Sequence, residues 1–321
     1  MPTCFKSPDK QMVLYHAVSS YQILEAMLHR LKYHPHESAL LLLPDFIVGK
    51  YPHYTRLKRK GLFEGVYLFE YLKIQHTNKA DVTRKALESL KRALPYTLDS
   101  FKEIYVLGAH FYFSLCLINK NIPFIFFEDA AGLYSCSKKL YTPLSKTYPL
   151  QAEIAKEQGL FCGKNPLIKK IVLLKRAQTL DVSDKIFCDF DMENELRALD
   201  NKTLKKVLSV FVKGKIKAKG DALLLTQNFY GHGIMPRDGQ IKLFKDLSQT
   251  TLKGQKLVIK PHPDDKLNYK PIFKGARIIK QIFPAELMPY LLSGAPLTLY
   301  TFDSSSCYNL SSHYIIKKLR R

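Results

Sequence analysis

The most constraining feature of this chain is a repeated alternation. Short runs that are apolar on both faces are each followed by a stretch of helical length. In the first half the runs are Met12–Ala17, Ala39–Val48, Gly65–Leu72, Glu103–Ala109, Pro123–Glu128 and Lys185–Phe190. A strand without polar alternation is buried on both sides, and such strands belong to parallel sheets covered by helices. Amphipathic segments such as Tyr21–Leu31 and Ala80–Ala93 supply the covering helices. The second half repeats the style. Ala222–Gln227, Lys256–Lys260, Ala276–Ile279 and Leu297–Thr301 read as strands, Gln240–Leu247 and Pro284–Leu292 as helices. The pattern predicts an α/β fold of two Rossmann-like domains, which 321 residues accommodate.

The expected boundaries are 1–195 for the first domain and 221–321 for the second. Residues 196–220 between them read as the end of a helix and then an exposed linker, closing in the basic stretch KGKIKAKGD. No internal repeat or low-complexity tract interrupts this plan.

Charge narrows the partners, not the fold. Fifty Lys and Arg against 28 Asp and Glu give a net charge of +22. Nucleic acid, an anionic membrane surface and phosphorylated substrates are the candidates. The cations are spread along the chain, with clusters at Arg56–Lys60, Lys169–Arg176, Lys205–Lys219 and Lys317–Arg321. They do not interleave with aromatics as in a known RNA-binding module, so nucleic acid is not the expected partner. The six cysteines show no CxxC spacing, which argues against zinc and for buried free thiols. The first residues, MPTCFKSPDKQ, hold no apolar signal core, and no run of about 18 apolar residues occurs. The expected location is the cytoplasm, as a soluble or peripheral protein.

In open parallel sheets ligands bind beyond the carboxyl ends of strands, so the residues just after each strand carry the information. Glu128 and Asp129 end a strand of four apolar residues and are followed by Ala130, Ala131 and Gly132. A carboxylate at the rim of an apolar sheet suits a general base, and an Asp there also suits a helix cap. Lys260-Pro261-His262-Pro263 ends another strand. The flanking prolines fix the backbone of His262, which is able to hand a proton to a departing group near neutral pH. Ser304, Ser305 and Ser306 follow Leu297–Thr301 and offer hydroxyls at the start of a helix, an arrangement that suits phosphate. Thr226 and Gln227 open a polar loop, and Ser19 and Ser20 follow the first strand. A G-x-G-x-x-G fingerprint and a Walker lysine loop are both missing, which disfavours dinucleotide and P-loop chemistry. Asp189-Phe190-Asp191 imitates a metal-binding DxD, but the helix after it makes a cap the expected role, and no metal site is assigned.

These groups, in this order, resemble the bacterial sialyltransferases, closest to the lipooligosaccharide sialyltransferase family (glycosyltransferase family 52) and its polysialyltransferase relatives. Glu128-Asp129 matches the family's acidic motif, His262-Pro263 its H-P motif and Ser304–Ser306 its serine motif. LLLTQ at Leu223–Gln227 resembles the opening of its second domain. Ala130 departs from the pattern, which has Gly there.

The resemblance implies a GT-B fold, two Rossmann-like domains with parallel sheets facing across a cleft. It implies inverting transfer from CMP-sialic acid with no cofactor and no metal. Asp129 or Glu128 would deprotonate the acceptor, with Asp129 favoured, and His262 would assist departure of CMP. Lys260, Pro263, Ser304, Ser305, Ser306, Thr226 and Gln227 would bind the donor, and Ser19, Ser20 and Gly132 would line the acceptor side. The implied partners are a nucleotide sugar and a glycolipid or polysaccharide acceptor such as lipooligosaccharide or capsule. Peripheral contact with an anionic membrane on the inner face fits the basic end Lys317–Arg321, as does a merely solvated tail. A homodimer is left open. Three rivals stand beside this reading: a GT-B transferase with a Kdo or polyol-phosphate donor, a basic nucleic-acid binder, and a non-catalytic glycan-binding relative, to which Ala130 points.

Overall fold

A computed structural model describes residues 12–74, 77–108, 111–128, 141, 144–146, 148–160, 163–174, 185–302 and 307–320. The chain divides into two compact units, Met1–Val210 and Phe211–Arg321.

The first unit holds a sheet of seven parallel strands: β1 (Met12–His16), β2 (Ser38–Pro44), β3 (Gly65–Phe69), β4 (Phe101–Leu107), β5 (Phe124–Phe127), β6 (Ile168–Leu174) and β7 (Ile186–Phe190). Their spatial order is β3-β2-β1-β4-β5-β6-β7. This is the doubly wound Rossmann order, and the switch point lies between β1 and β4. Six of the seven strands fall on runs that the apolar pattern selects. The seventh, β6, reads in sequence as part of the basic cluster at Lys169. Near its start it is polar, with Lys169 exposed and Lys170 half-buried, while Ile171–Leu174 are buried.

Both faces are packed, which explains the lack of polar alternation. On one face Leu14, Leu42, Val106, Phe126 and Ile171 form a core with Val82, Ala86 and Leu90 of the helix Lys79–Ala93 and with Ile154 and Ala155 of Pro149–Glu157. On the other lie Tyr15, Tyr105, Phe127 and Phe190, whose rings meet His29 of the helix Ser20–Tyr33. Burial of each large apolar side chain contributes roughly 1.5–3 kcal/mol. Phe124, Phe126 and Phe127 of β5 are at most 1 % exposed, so this short strand is a main anchor of the sheet.

The second unit contains β8 (Ile216–Lys217), β9 (Ala222–Leu225), β10 (Leu257–Lys260), β11 (Arg277–Ile278), β12 (Leu292–Ser293), β13 (Thr298–Thr301) and β14 (Ile315–Lys318). Its main sheet is parallel, in the order β11-β10-β9-β13-β14, and β8 pairs separately with β12. Renumbered from its own first strand, the order is again that of a doubly wound sheet, with the switch point between β9 and β13. The helix Arg237–Gln249 covers one face, where Phe244 packs with Leu224, Ile259, Tyr269 and Phe302.

Residues 196–220 are largely folded. Asn201–Phe211 is a helix, and Ile216–Lys217 pairs with Leu292–Ser293. The basic end likewise belongs to the fold. Lys317 and Lys318 lie in edge strand β14, Lys317 Nζ sits 5.6 Å from the Tyr300 ring centre, and Leu319 is buried. Lysines on an edge strand discourage pairing with another chain.

Candidate active site

In the first unit the carboxyl ends of β1, β4 and β5 bring Ser19, Gly108 and Glu128 to one edge. Gly108 takes a φ of 74°, a left-handed conformation that suits glycine, and its N–H donates to the Phe127 carbonyl at 3.0 Å. Ser19 is the N-cap of the helix Ser20–Tyr33; its Oγ accepts from the Gln22 N–H at 3.1 Å. Gln22 Oε1 in turn accepts from the Val18 N–H at 2.8 Å, so the strand-to-helix turn is satisfied reciprocally. Ser20 is buried and pairs with His53 Nε2 at 3.2 Å. Burial lowers His53 to about 4, so the ring is neutral at pH 7.

Glu128 is 1 % exposed. Its N–H donates to the Val172 carbonyl at 2.9 Å, and its Oε2 accepts from the Leu174 N–H at 3.2 Å. The carboxylate therefore ties the end of β5 to the end of β6. Asp129, Gly132, Ser304, Ser305 and Ser306 lie outside the described residues. Asp191 caps the helix Met192–Ala198 by accepting from the Asn194 N–H, the role that its place before a helix predicts.

In the second unit His262 follows β10, half-buried. Its N–H donates to Thr226 Oγ1 at 3.0 Å, and the Thr226 N–H donates to the Lys260 carbonyl at 3.3 Å. The loops after β9 and β10 are thus locked together. His262 Nδ1 accepts from the Asp264 N–H at 3.2 Å. In the neutral ring the proton then sits on Nε2. His232 lies edge-on to this ring at 5.4 Å. Thr226 is buried, Gln227 half-buried and Pro263 exposed.

Lys260 is buried. Its ammonium stands 4.5 Å from the centre of the Phe283 ring, a cation–π contact. Burial lowers it to about 8, and the carboxylate of Glu286 acts in the opposite sense. Glu286 is itself buried and accepts from Asn309 Nδ2 at 3.4 Å.

Beside His262 a cavity of about 480 Å³ is lined by Asn228, Tyr230, Arg237, Gln240, Asp264 and Asp265, among others. Its floor is pre-ordered: Gln240 Nε2 donates to Asp265 Oδ2 at 3.0 Å, and Asn228 Nδ2 donates to the Asp264 carbonyl. Asn228 Oδ1 also accepts from the Gly231 N–H at 2.9 Å, and a Cβ on Gly231 would lie 2.1 Å from Asn228 Nδ2. Of these, Asn228 and Tyr230 belong to the polar loop that opens after Leu225 in the sequence, whereas Arg237 and Gln240 carry no such signal. Asp264 and Asp265, directly after His262-Pro263, were a further signal. A second cavity, of about 310 Å³, lies in the first unit among His29, His34, Glu37, Glu103, Tyr105 and Lys170. It was hidden in the sequence, because its groups come from five separate elements.

Two doubly wound parallel sheets in succession define the GT-B class. Solved structures agree on the fold. Methanocaldococcus jannaschii UDP-GlcNAc 2-epimerase, in complex with UDP-GlcNAc and UDP, superposes with a TM-score of 0.52 at 12% identity, covering 96% of this chain and 84% of its own. Arabidopsis thaliana UGT89C1, complexed with UDP-L-rhamnose, gives 0.50 at 10% identity, covering 97% and 79%. Within that class the chain belongs to the alpha-2,8-polysialyltransferase (POLYST) family, whose model matches residues 20–288. It is also similar to an uncharacterized Haemophilus influenzae protein, 32% identical over 69 residues, a stretch that spans 22% of this chain and 22% of that protein.

Proposed function

We propose that this chain is an inverting glycosyltransferase that moves sialic acid from CMP-sialic acid to a glycan acceptor on a glycolipid or polysaccharide. Membership of the polysialyltransferase family is the observation that carries the reading. The two structural neighbours named above are complexed with nucleotide sugars, which agrees with a nucleotide-sugar donor.

His262 is the proposed acid. The Thr226 hydroxyl fixes its backbone, and the Asp264 N–H on Nδ1 sets the tautomer that carries its proton on Nε2, the proton it would donate as the CMP phosphate departs. Asp129 is the proposed base. The neighbouring carboxylate of Glu128 is held by the Leu174 N–H, which favours Asp129 for the proton transfer and Glu128 for holding the strand end. Lys260, Pro263, Thr226, Gln227 and Ser304–Ser306 are the proposed donor side, and Ser19, Ser20 and Gly132 the proposed acceptor side. The chain needs no cofactor in this scheme.

Described residues contain no helix long and apolar enough to cross a membrane. Peripheral contact with anionic lipid on the cytoplasmic side is the proposed location, drawn from the +22 charge. The test incubates the protein with CMP-sialic acid and an oligosialic acceptor and measures CMP release and product linkage. Turnover of UDP-sugars with none of CMP-sialic acid overturns the donor assignment.

A further inference from the structure

The carboxyl edge of the second sheet holds a buried hydroxyl that the scheme above leaves unused, that of Thr301, in the same row as the proposed donor-side residue Lys260. Lys260 pairs with Leu225 in β9, and Tyr300 pairs with Leu224. One residue on, Thr301 is level with Leu225. Lys260, Leu225 and Thr301 therefore form the last row of side chains on one face, with Lys260 and Thr301 about 10 Å apart across β9. Thr301 is 0 % exposed, and its hydroxyl has no hydrogen-bond partner among the described residues. The Lys260 ammonium stands 4.5 Å from the centre of the Phe283 ring, on a residue that is 6 % exposed. A buried hydroxyl without a partner is uncommon and points to a missing ion, water or ligand. The row also stands beside the β9/β13 switch point, where ligands of doubly wound sheets bind.

We infer that Lys260 and Thr301 form the floor of a phosphate-binding subsite whose occupancy is coupled to protonation of Lys260. The inference rests on the nucleotide-donor reading and adds to it a proton. Glu286 is the charged group that faces Lys260, from the turn Ala285–Leu287; β9 presents Leu225 and Thr226, and Asn309 reaches Glu286 from the helix Cys307–Leu310. Even with that carboxylate present, burial leaves the ammonium at about 8. A phosphate bound beside the ammonium would favour its charged form, in the same sense as Glu286. Lys260 and Thr301 act as binding residues here and Glu286 as a positioning residue.

Calorimetric titration of the full chain with CMP and with inorganic phosphate, from pH 6.5 to 9.5 in buffers of different ionisation enthalpy, reads both affinity and protons taken up. The phosphate loses its second proton near pH 6, so it contributes little to uptake above pH 8. CMP is expected to bind with uptake of up to one proton above pH 8, and to weaken about tenfold per pH unit beyond it. Lys260→Met should abolish the uptake. Lys260→Arg should keep binding but lose the weakening above pH 8, because guanidinium stays charged. Thr301→Val, which preserves shape, should weaken CMP about five- to tenfold with an unchanged melting temperature. Equal uptake in wild type and Lys260→Met, or wild-type affinity in Thr301→Val, overturns the inference while leaving the donor reading intact. Phosphate binding that shows the uptake, without any CMP affinity, supports the subsite and overturns the nucleotide reading instead.

Discussion

Replacing Lys260 by Met isolates what a buried ammonium costs this fold. The group is held at about 8, against 10.5 for an ordinary lysine. Each pH unit of displacement is worth about 1.4 kcal/mol, so at pH 7 the folded protein carries this charge at a cost of about 3 kcal/mol. Lys260 is 6 % exposed, so solvent relieves little of it. Between pH 8 and 10.5 the unfolded chain holds the proton and the folded chain does not. The residue's contribution to stability therefore rises through that window, and below it the cost is constant. Met keeps most of the stem and removes the charge, while Glu286 loses its nearby cation, which offsets part of the gain. Urea unfolding of both proteins from pH 7 to 10.5 measures the difference, in which other titrating groups cancel. Lys260→Met should be more stable by about 1–3 kcal/mol at pH 7, and the advantage should vanish by about pH 10. No advantage at pH 7, or one that does not change with pH, refutes the reasoning.

Other perturbations reach different links. His262→Ala should lower CMP-sialic acid turnover by about 10²–10⁴-fold while circular dichroism stays native, and turnover within twofold of wild type removes His262 from the mechanism. Asp129→Asn should abolish turnover with little change in stability, whereas Glu128→Ala should cost about 1–3 kcal/mol in denaturant unfolding by stripping the Leu174 N–H of its acceptor. Asp191→Ala should cost about 1 kcal/mol through the lost helix cap and leave turnover unchanged. Burial holds His16 and His53 near 4 and His29 near 2, all below the usual 6.5, so the unfolded chain binds more protons in acid. Stability should fall steadily from pH 6.5 to 4, and a urea midpoint flat across that range contradicts their neutral burial.

The fold was legible wherever burial wrote itself as an unbroken apolar run. Ten of the twelve strands of the two main sheets lie on such runs. The two that escaped share a cause, because lysines at a strand end imitate a solvated segment. In β6 the polar pair Lys169–Lys170 leads into buried Ile171–Leu174, and in β14 the edge position lets Lys317 and Lys318 stay wet. Between the units the sequence reads as a helix and then an exposed linker; the helix Asn201–Phe211 docks through Val207 and Val210, but the basic stretch after it also pairs, through Ile216–Lys217. Of the site, His262 was legible because two prolines announce a fixed turn. Thr226 gained its meaning only through the β9–β10 register, which places its hydroxyl on the His262 N–H. The cavity-lining residues Arg237 and Gln240 sit at a helix start and carry no local signal at all.

Missing β6 also concealed the difference between the two adjacent acids. From sequence, Glu128 and Asp129 are equivalent carboxylates after an apolar strand. In three dimensions β5 ends at Phe127, while β6 runs on to Leu174, whose N–H has lost its strand partner. Glu128 Oε2 takes that N–H and extends the ladder with a side chain. A buried backbone donor left unsatisfied costs about 1–3 kcal/mol, which accounts for a carboxylate at this position without appeal to catalysis. The proposed scheme accordingly gives the proton transfer to Asp129 and leaves Glu128 to hold the strand end.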